Sequence, residues 1–312
     1  MYNSFNIAMK NRFGCKIYKL ALSGGMTCPT RDGTLDTRGC IFCSAKGSGD
    51  FAAKPCEDIS KQIDNAKSLV AGKAKDAKYI AYFQDYTNTY APVERLRDLF
   101  TQAIIPEDVV ALSVATRPDC LPDDIIELLS ELNRIKPVFI ELGLQTIHET
   151  TAQYIRRGYS LDVFDNAVTR LKSAGIVIIV HIIIGLPYET EEMIYDTVKY
   201  VADKKIDGIK LQLLHVLEGT DLAEEYKQGK FDVLDMDKYI SILENCVKLL
   251  PPETVIHRLT GDGAKKDLIA PLWSADKKNV LNKINKRFSE DKVKQGENYR
   301  VFVPSEALDS CK

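Results

Sequence analysis

The chain has 312 residues, with 42 Lys and Arg against 44 Asp and Glu and a formal net charge of −2. That length suffices for one barrel-like unit or about two smaller domains. The near balance excludes a protein drawn to nucleic acid or to an anionic membrane by net charge alone. Charge is uneven along the chain. Residues 1–50 carry an excess of four basic side chains, and residues 265–300 an excess of five.

The start, Met1-Tyr2-Asn3-Ser4-Phe5-Asn6, lacks the basic and then apolar pattern of a secretory leader. The longest apolar stretch runs from Ile176 to Leu186 and is interrupted by His181. A membrane-spanning helix needs about 20 apolar residues, so no membrane contact is expected. The expectation is a cytoplasmic chain. There its eight cysteines are read as metal or redox groups and not as disulfides.

In chain order, β-branched runs recur at Ile17–Leu22, Tyr79–Phe83, Val109–Val114, Val138–Leu142, Ile176–Ile184 and Gly208–Leu214. Runs this apolar are buried on both faces, as in a parallel sheet. Amphipathic stretches lie between them. Ile125, Ile126, Leu128, Leu129 and Leu132 line one helix face, and Val163, Phe164, Ala167, Val168 and Leu171 line another. A further helical stretch runs from Glu189 to Val201. The expected fold is α/β, a partial (β/α)6 TIM-like barrel over residues 1–216. A helical and basic C-terminal extension, residues 217–312, packs on it, with helices expected at 219–228 and 235–250. Chemistry in such barrels sits at the C-terminal strand ends.

After the first strand, loop 24–50 holds Cys28, Cys40 and Cys43 in the spacing C-x11-C-x2-C, crowded by Gly24, Gly25, Gly33, Gly39, Gly47 and Gly49. A long loop in a compact barrel is usually functional. Three thiolates suit an iron–sulfur cluster with one iron left open. The amino and carboxylate groups of S-adenosylmethionine (SAM) are suitable donors to that iron. A zinc site completed by Cys56 or Cys15, a redox pair of Cys40 and Cys43, and inert thiols are the alternatives. Cys120, Cys246 and Cys311 read as structural or incidental.

The loop CPTRDGTLDTRGCIFCSAKGSGDF resembles that of the radical SAM superfamily. It is similar to a bacterial branch related to the radical SAM domain of the elongator catalytic subunit. The resemblance continues through Tyr82–Tyr90, Ala115–Asp119, Glu141–Thr146, His181–Pro187 and His257–Gly263, and covers roughly residues 5–280. The commonest spacing in the superfamily is C-x3-C-x2-C; the elongator-like branch shares the longer first gap.

The resemblance implies a [4Fe–4S] cluster on Cys28, Cys40 and Cys43, with SAM as the second cofactor. Phe42 would lie beside the adenine. Gln84, Asn88 and Thr89 would meet the methionine amino group. Glu141 and Gln145 would take the ribose hydroxyls, unless Glu141 forms an ion pair with Arg117 or Arg157. Arg117 belongs to the cofactor-binding set. Arg157 would hold the SAM carboxylate, although Tyr159 stands where a His is expected. His181 is a SAM or substrate contact, or a satisfied core histidine; His215 is similar. No catalytic residue is assigned.

The implied partners are an electron donor of flavodoxin or ferredoxin type and tRNA. The implied reaction remodels the carboxymethylaminomethyl side chain of a tRNA wobble uridine. Arg258, Lys265, Lys266, Lys277, Lys278, Lys283, Lys286 and Arg287 are the candidate phosphate contacts. The alternatives are a radical SAM enzyme on a small metabolite or peptide, and a non-catalytic iron–sulfur protein.

Overall fold

A computed structural model of the chain describes residues 2–44, 47, 58–70, 72, 76–261 and 265–300. Helix α1 (Phe5–Phe13) precedes strand β1 (Ile17–Leu22), and α2 (Ile59–Val70) leads to β2 (Lys78–Phe83). The alternation continues through α3 (Val93–Ile104), β3 (Val109–Thr116), α4 (Asp123–Ile135) and β4 (Val138–Gln145). Helices α5 (Glu149–Tyr154) and α6 (Leu161–Ser173) follow, then β5 (Val177–Ile184), α7 (Glu191–Asp203) and β6 (Gly208–Leu213). The six expected strands are present within a residue or two at most ends. The sheet is parallel throughout, in the order β1-β2-β3-β4-β5-β6.

A seventh strand extends it. After β7 (Val216–Leu217), α8 (Asp221–Lys227) and α9 (Met236–Leu249), strand β8 (Val255–Arg258) pairs in parallel with β6. The sequence reading missed β8 because it is four residues long and half of it is His257 and Arg258. Strand β9 (Leu268–Ala270) pairs antiparallel with β7, and α10 (Lys277–Glu290) follows. The curled sheet with its helices is a partial TIM barrel.

Local chemistry explains the elements. In α4 the apolar positions 125, 128, 129 and 132 are buried, and Asp123 and Asp124 occupy the first turn, where the helix dipole favours negative charge. Helix α7 starts at Thr190, whose hydroxyl accepts from the Met193 amide at 3.3 Å. The period of two along each strand sends alternate residues to opposite faces. Leu112, Val114, Ile140, Leu142, Ile178 and Val180 face outward against Phe100, Leu128, Phe164, Leu171 and Val198 of the helices.

The inward face has two levels. At the N-terminal strand ends, Ile17, Ile80, Ala111, Phe139 and Ile179 form a plug with Met9 of α1. Helix α1 packs on both β1 and β8. The Ile256 amide donates to the Asn3 carbonyl at 2.8 Å, and the Asn3 amide donates to Gln295 Oε1 at 2.8 Å. The lower end of the barrel is therefore sealed by apolar side chains, and polar residues occupy the level above.

Phe139, 1 % exposed, anchors the plug. Phe139→Ala is expected to lower stability by about 3–5 kcal/mol, through lost burial and the cavity left behind. Leu69→Ser, on the 86 % exposed Leu69 of α2, is expected to change it little. Urea unfolding of both variants against the parent chain measures the contrast.

Candidate functional site

Glu141 sits midway along β4 on the inward face and is fully buried. An isolated carboxylate there would be costly, so partners converge on it. Oε1 accepts from Ser113 Oγ at 2.8 Å and from the Lys19 ammonium. Oε2 accepts from Tyr82 OH at 2.9 Å and from the Lys210 ammonium, and pairs with His181 Nε2 at 2.8 Å. Lys210 also donates to Tyr82 OH at 2.9 Å. The expected alternative partners of Glu141, Arg117 and Arg157, lie elsewhere. Arg117 makes a bidentate contact with Asp119 at 3.0 and 2.8 Å, and Arg157 pairs with Glu149 at 3.0 Å.

This network sets the ionisation of its members. Burial alone would raise the Glu141 carboxyl, but the Lys19 and Lys210 charges outweigh it and hold it well below the usual carboxylate range. Burial, reinforced by Lys210, lowers His181 to about 4, so its imidazole is neutral at pH 7. Burial lowers Lys210 to about 7 against the pull of Glu141, with Lys19 and Arg258 pushing the same way as burial.

Above the network a pocket opens at the C-terminal strand ends. Cys28, Cys40 and Cys43 line one side of it, and Gln84, Arg117, Gln145, Arg157, His181, Lys210 and Arg258 lie around its walls and floor. The loop that carries the thiols is built by short bonds. Arg31 N and Cys43 N donate to the Cys28 and Cys40 carbonyls at 2.8 and 3.0 Å, and Arg31 Nη2 donates to the Cys43 and Ser44 carbonyls at 2.9 and 2.6 Å. Gly39 adopts φ +75°, and a Cβ there would lie 2.8 Å from the Arg31 guanidinium. Thr87 Oγ1 donates to Cys28 Sγ at 3.3 Å.

The three thiols suit a cationic metal cluster. Burial, and then the neighbouring Cys43, push the Cys40 thiol up to about 12, while Arg117 opposes them. Thiolates gathered in this way need positive charge between them, which iron supplies. Among the described residues no three His, Cys, Asp or Glu side chains converge tightly enough to hold a single ion. A cubane cluster spreads its thiolates more widely than a lone zinc does. Cys56, the fourth ligand of the zinc alternative, lies outside the described residues.

The pocket also offers polar atoms to an organic cofactor. The pairing of β4 with β5 shifts register between Gly143 and Gln145, and Gln145 takes φ 69°. The irregularity re-aims its side chain, leaving Oε1 buried and without a hydrogen-bond partner. Phe42 lies on the same wall as the thiols. Gly261 is forced where β8 leads away, since a Cβ would meet the Leu213 carbonyl at 2.9 Å and the His215 ring at 2.8 Å.

Four expected contacts depart from this picture. Asn88 is fully buried and turns from the pocket, donating to the Asp85 and Ala115 carbonyls at 2.7 and 3.0 Å. Thr89 does the same, bonding Thr116 Oγ1 and the Cys120 carbonyl at 2.5 Å each. Gln84, of the same expected set, lines the pocket, and Tyr86 and Thr87 line it where Asn88 and Thr89 do not. Arg157 reaches the wall, but directs its donors to the Thr146 and Tyr159 carbonyls at 2.6 and 3.0 Å and to Glu149. Little capacity is left for a SAM carboxylate. Glu141 accepts from so many donors that no acceptor site remains for a ribose hydroxyl. Sequence reasoning missed Lys19, Tyr82 and Lys210. The signal available was a lysine inside each of two largely apolar strands.

His181 binds its proton less readily in the fold than the unfolded value near 6.5, so the unfolded chain takes up more protons between pH 6.5 and 4. Stability is therefore expected to fall as pH drops through that window, and to fall less steeply in His181→Gln. Chemical denaturation at pH 7, 5.5 and 4.5 reads the slope. Glu141→Gln removes the one carboxylate that Lys19 and the buried Lys210 share and is expected to cost about 3–5 kcal/mol at pH 7.

The chain matches the family model of the radical SAM superfamily over residues 37–201 and the radical SAM C-terminal domain over residues 206–290. It is 44% identical over 307 residues to the protein YtqA of Bacillus subtilis, covering 98% of this chain and 95% of that one. It is 29% identical over 178 residues to the tRNA uridine(34) acetyltransferase of Methanocaldococcus jannaschii, covering 52% of this chain and 32% of that one. The structure of Methanocaldococcus infernus Elp3 superposes with a TM-score of 0.67 at 18% identity, covering 89% of this chain and 64% of that one, and so shares its fold. Two family models placed end to end, and a relative matched over nearly its whole length, show that the chain belongs to the radical SAM superfamily.

Proposed function

We propose that Cys28, Cys40 and Cys43 hold the [4Fe–4S] cluster that this superfamily uses together with SAM, and that the substrate is the carboxymethylaminomethyl side chain of a tRNA wobble uridine. The observation that carries the first part is the set of three cysteine thiols on one wall of a pocket at the C-terminal strand ends. When bound, the cluster supplies the electron that splits the SAM sulfonium into methionine and a 5′-deoxyadenosyl radical, which abstracts hydrogen from the substrate. The electron comes from a flavodoxin- or ferredoxin-type donor in the cytoplasm. Among the described residues no helix is long and apolar enough to cross a membrane.

The chain's own residues shape that chemistry. Thr87 and the backbone of the loop fix the thiols. Arg31 and Arg117 place positive charge beside the thiolates. Gln145 presents an acceptor suited to a ribose hydroxyl, and Phe42 an aromatic edge suited to adenine. Tyr159 replaces the expected His as a spacer, with its ring 5.2 Å from the Arg117 guanidinium and 4.6 Å from that of Arg157.

Support for the tRNA comes from the uridine(34) enzyme among the relatives and from α10. Val280, Ile284 and Phe288 of α10 face the core, while Lys277, Lys278, Lys283, Lys286 and Arg287 are exposed. Arg287 is partly offset by Asp291, and Lys286 lies 3.8 Å from Glu290. Lys278 and Lys283 are therefore the better phosphate contacts. Arg258 lines the pocket and is withdrawn from that set.

Anaerobically reconstituted Cys28→Ala, Cys40→Ala and Cys43→Ala are each expected to lose the bound iron and the 5′-deoxyadenosine formed from SAM. Cys246→Ala, at a buried thiol of α9, is expected to keep both. Full iron in Cys40→Ala would remove the ligand assignment. Binding of wobble-uridine tRNA is expected to weaken steeply between 50 and 200 mM salt, in proportion to the phosphates neutralised. A flat salt response, or unchanged wobble nucleosides in a deletion strain, would remove the tRNA.

A further inference from the structure

The Glu141 network sets two lysines and a histidine against a single carboxylate. The Lys210 side chain is 4 % exposed and that of Lys19 18 %, and His181 beside them is neutral at pH 7. A lysine buried beside a pocket is costly, and such groups gather at functional sites. The two lysines are not equivalent. Lys19 belongs to the level below and lies over the rings of Phe5 and Tyr82. Lys210 lines the pocket itself. An ammonium group has three donors. Glu141 and Tyr82 take two from Lys210, and the third has no protein acceptor within hydrogen-bond distance among the described residues. Arg258 lines the same wall, close enough for its charge to act on both Lys210 and His181. Gln212 and His215 complete that wall.

The position of this group separates it from the cluster. The thiols stand on the loop beyond the strand ends with Arg31 bonded into it, whereas Lys210 reaches the pocket from the Glu141 network within the barrel. We propose that Lys210 and Arg258 form a carboxylate-binding subsite that holds the substrate, across the pocket from the cluster. Glu141 and Tyr82 act as positioning residues, keeping the Lys210 ammonium aimed at it. A carboxylate from the substrate favours the charged form of Lys210, pairs with Arg258 and takes the remaining Lys210 donor. It also fixes the substrate's reacting carbon at a set distance from the cluster wall. The inference rests on the reading of Cys28, Cys40 and Cys43 as cluster ligands and is independent of the tRNA. The carboxylate has two conceivable sources, the methionine part of SAM and the substrate, and the cluster reading, in which the open iron takes the SAM carboxylate, assigns the subsite to the substrate.

The test uses anaerobic holoenzyme saturated with SAM and two small probes, N-methylglycine and its uncharged amide, N-methylglycinamide. Calorimetric titration is expected to show the acid binding at least tenfold more tightly than the amide. That preference is expected to fall below twofold in Lys210→Met and in Arg258→Gln, each with its iron content measured. Equal binding of acid and amide by the parent holoenzyme overturns the proposal, as does a preference that survives both substitutions. If the preference appears only in the absence of SAM, the subsite serves the cofactor's own carboxylate and the proposal falls. Loss of iron from Cys40→Ala concerns the cluster alone, so failure of the subsite and failure of the cluster assignment are read separately.

Discussion

The buried carboxylate of Glu141 is the interaction on which the interior of this barrel depends. It gathers Lys19 from β1, Tyr82 from β2, Ser113 from β3, His181 from β5 and Lys210 from β6. One side chain thereby ties together every strand of the sheet except the last. Apolar packing on the outer face holds helices to sheet without specifying how far the sheet curls. The inward polar contacts supply that constraint, because each has a narrow range of length and direction. The same carboxylate divides the interior into a dry plug below and a reactive pocket above.

The three cysteines and the network solve different electrostatic problems at opposite ends of one cavity. At the thiol end, negative charge must be gathered, and Arg31 and Arg117 stand ready to receive it. At the floor, two lysines converge on a single carboxylate that is itself saturated.

Much of this was legible in the sequence, for identifiable reasons. Parallel strands buried on both faces announce themselves as unbroken β-branched runs, so β1 to β6 could be placed closely. The cysteine spacing and the glycine-rich loop marked the pocket wall that carries the three thiols. What stayed hidden depended on partners distant in sequence. Glu141 read as a carboxylate in need of a partner, but its lysines come from β1 and β6, and no local pattern points from one to the others. Asn88 and Thr89 looked like cofactor contacts because they follow β2. Backbone carbonyls at the ends of β2 and β3 claimed them first. Strand β8 was too short and too polar to show the period of a buried strand, and only its place beside β6 makes it one.

The closure at the lower end has a consequence for biosynthesis. Asn3 bonds to Ile256 and to Gln295, while Gln295 in turn donates to the Pro251 and Thr254 carbonyls at 2.6 and 2.8 Å. The segment before α1 and the last strand of the sheet are thus joined through residues far apart in the sequence. Until β8 emerges, β6 is an open parallel edge with unpaired backbone groups, and α1 has only one of the two strands it packs against. The nascent chain must carry that exposed edge through the synthesis of α8 and α9, a stretch during which pairing with another unfinished chain competes with completion of the barrel.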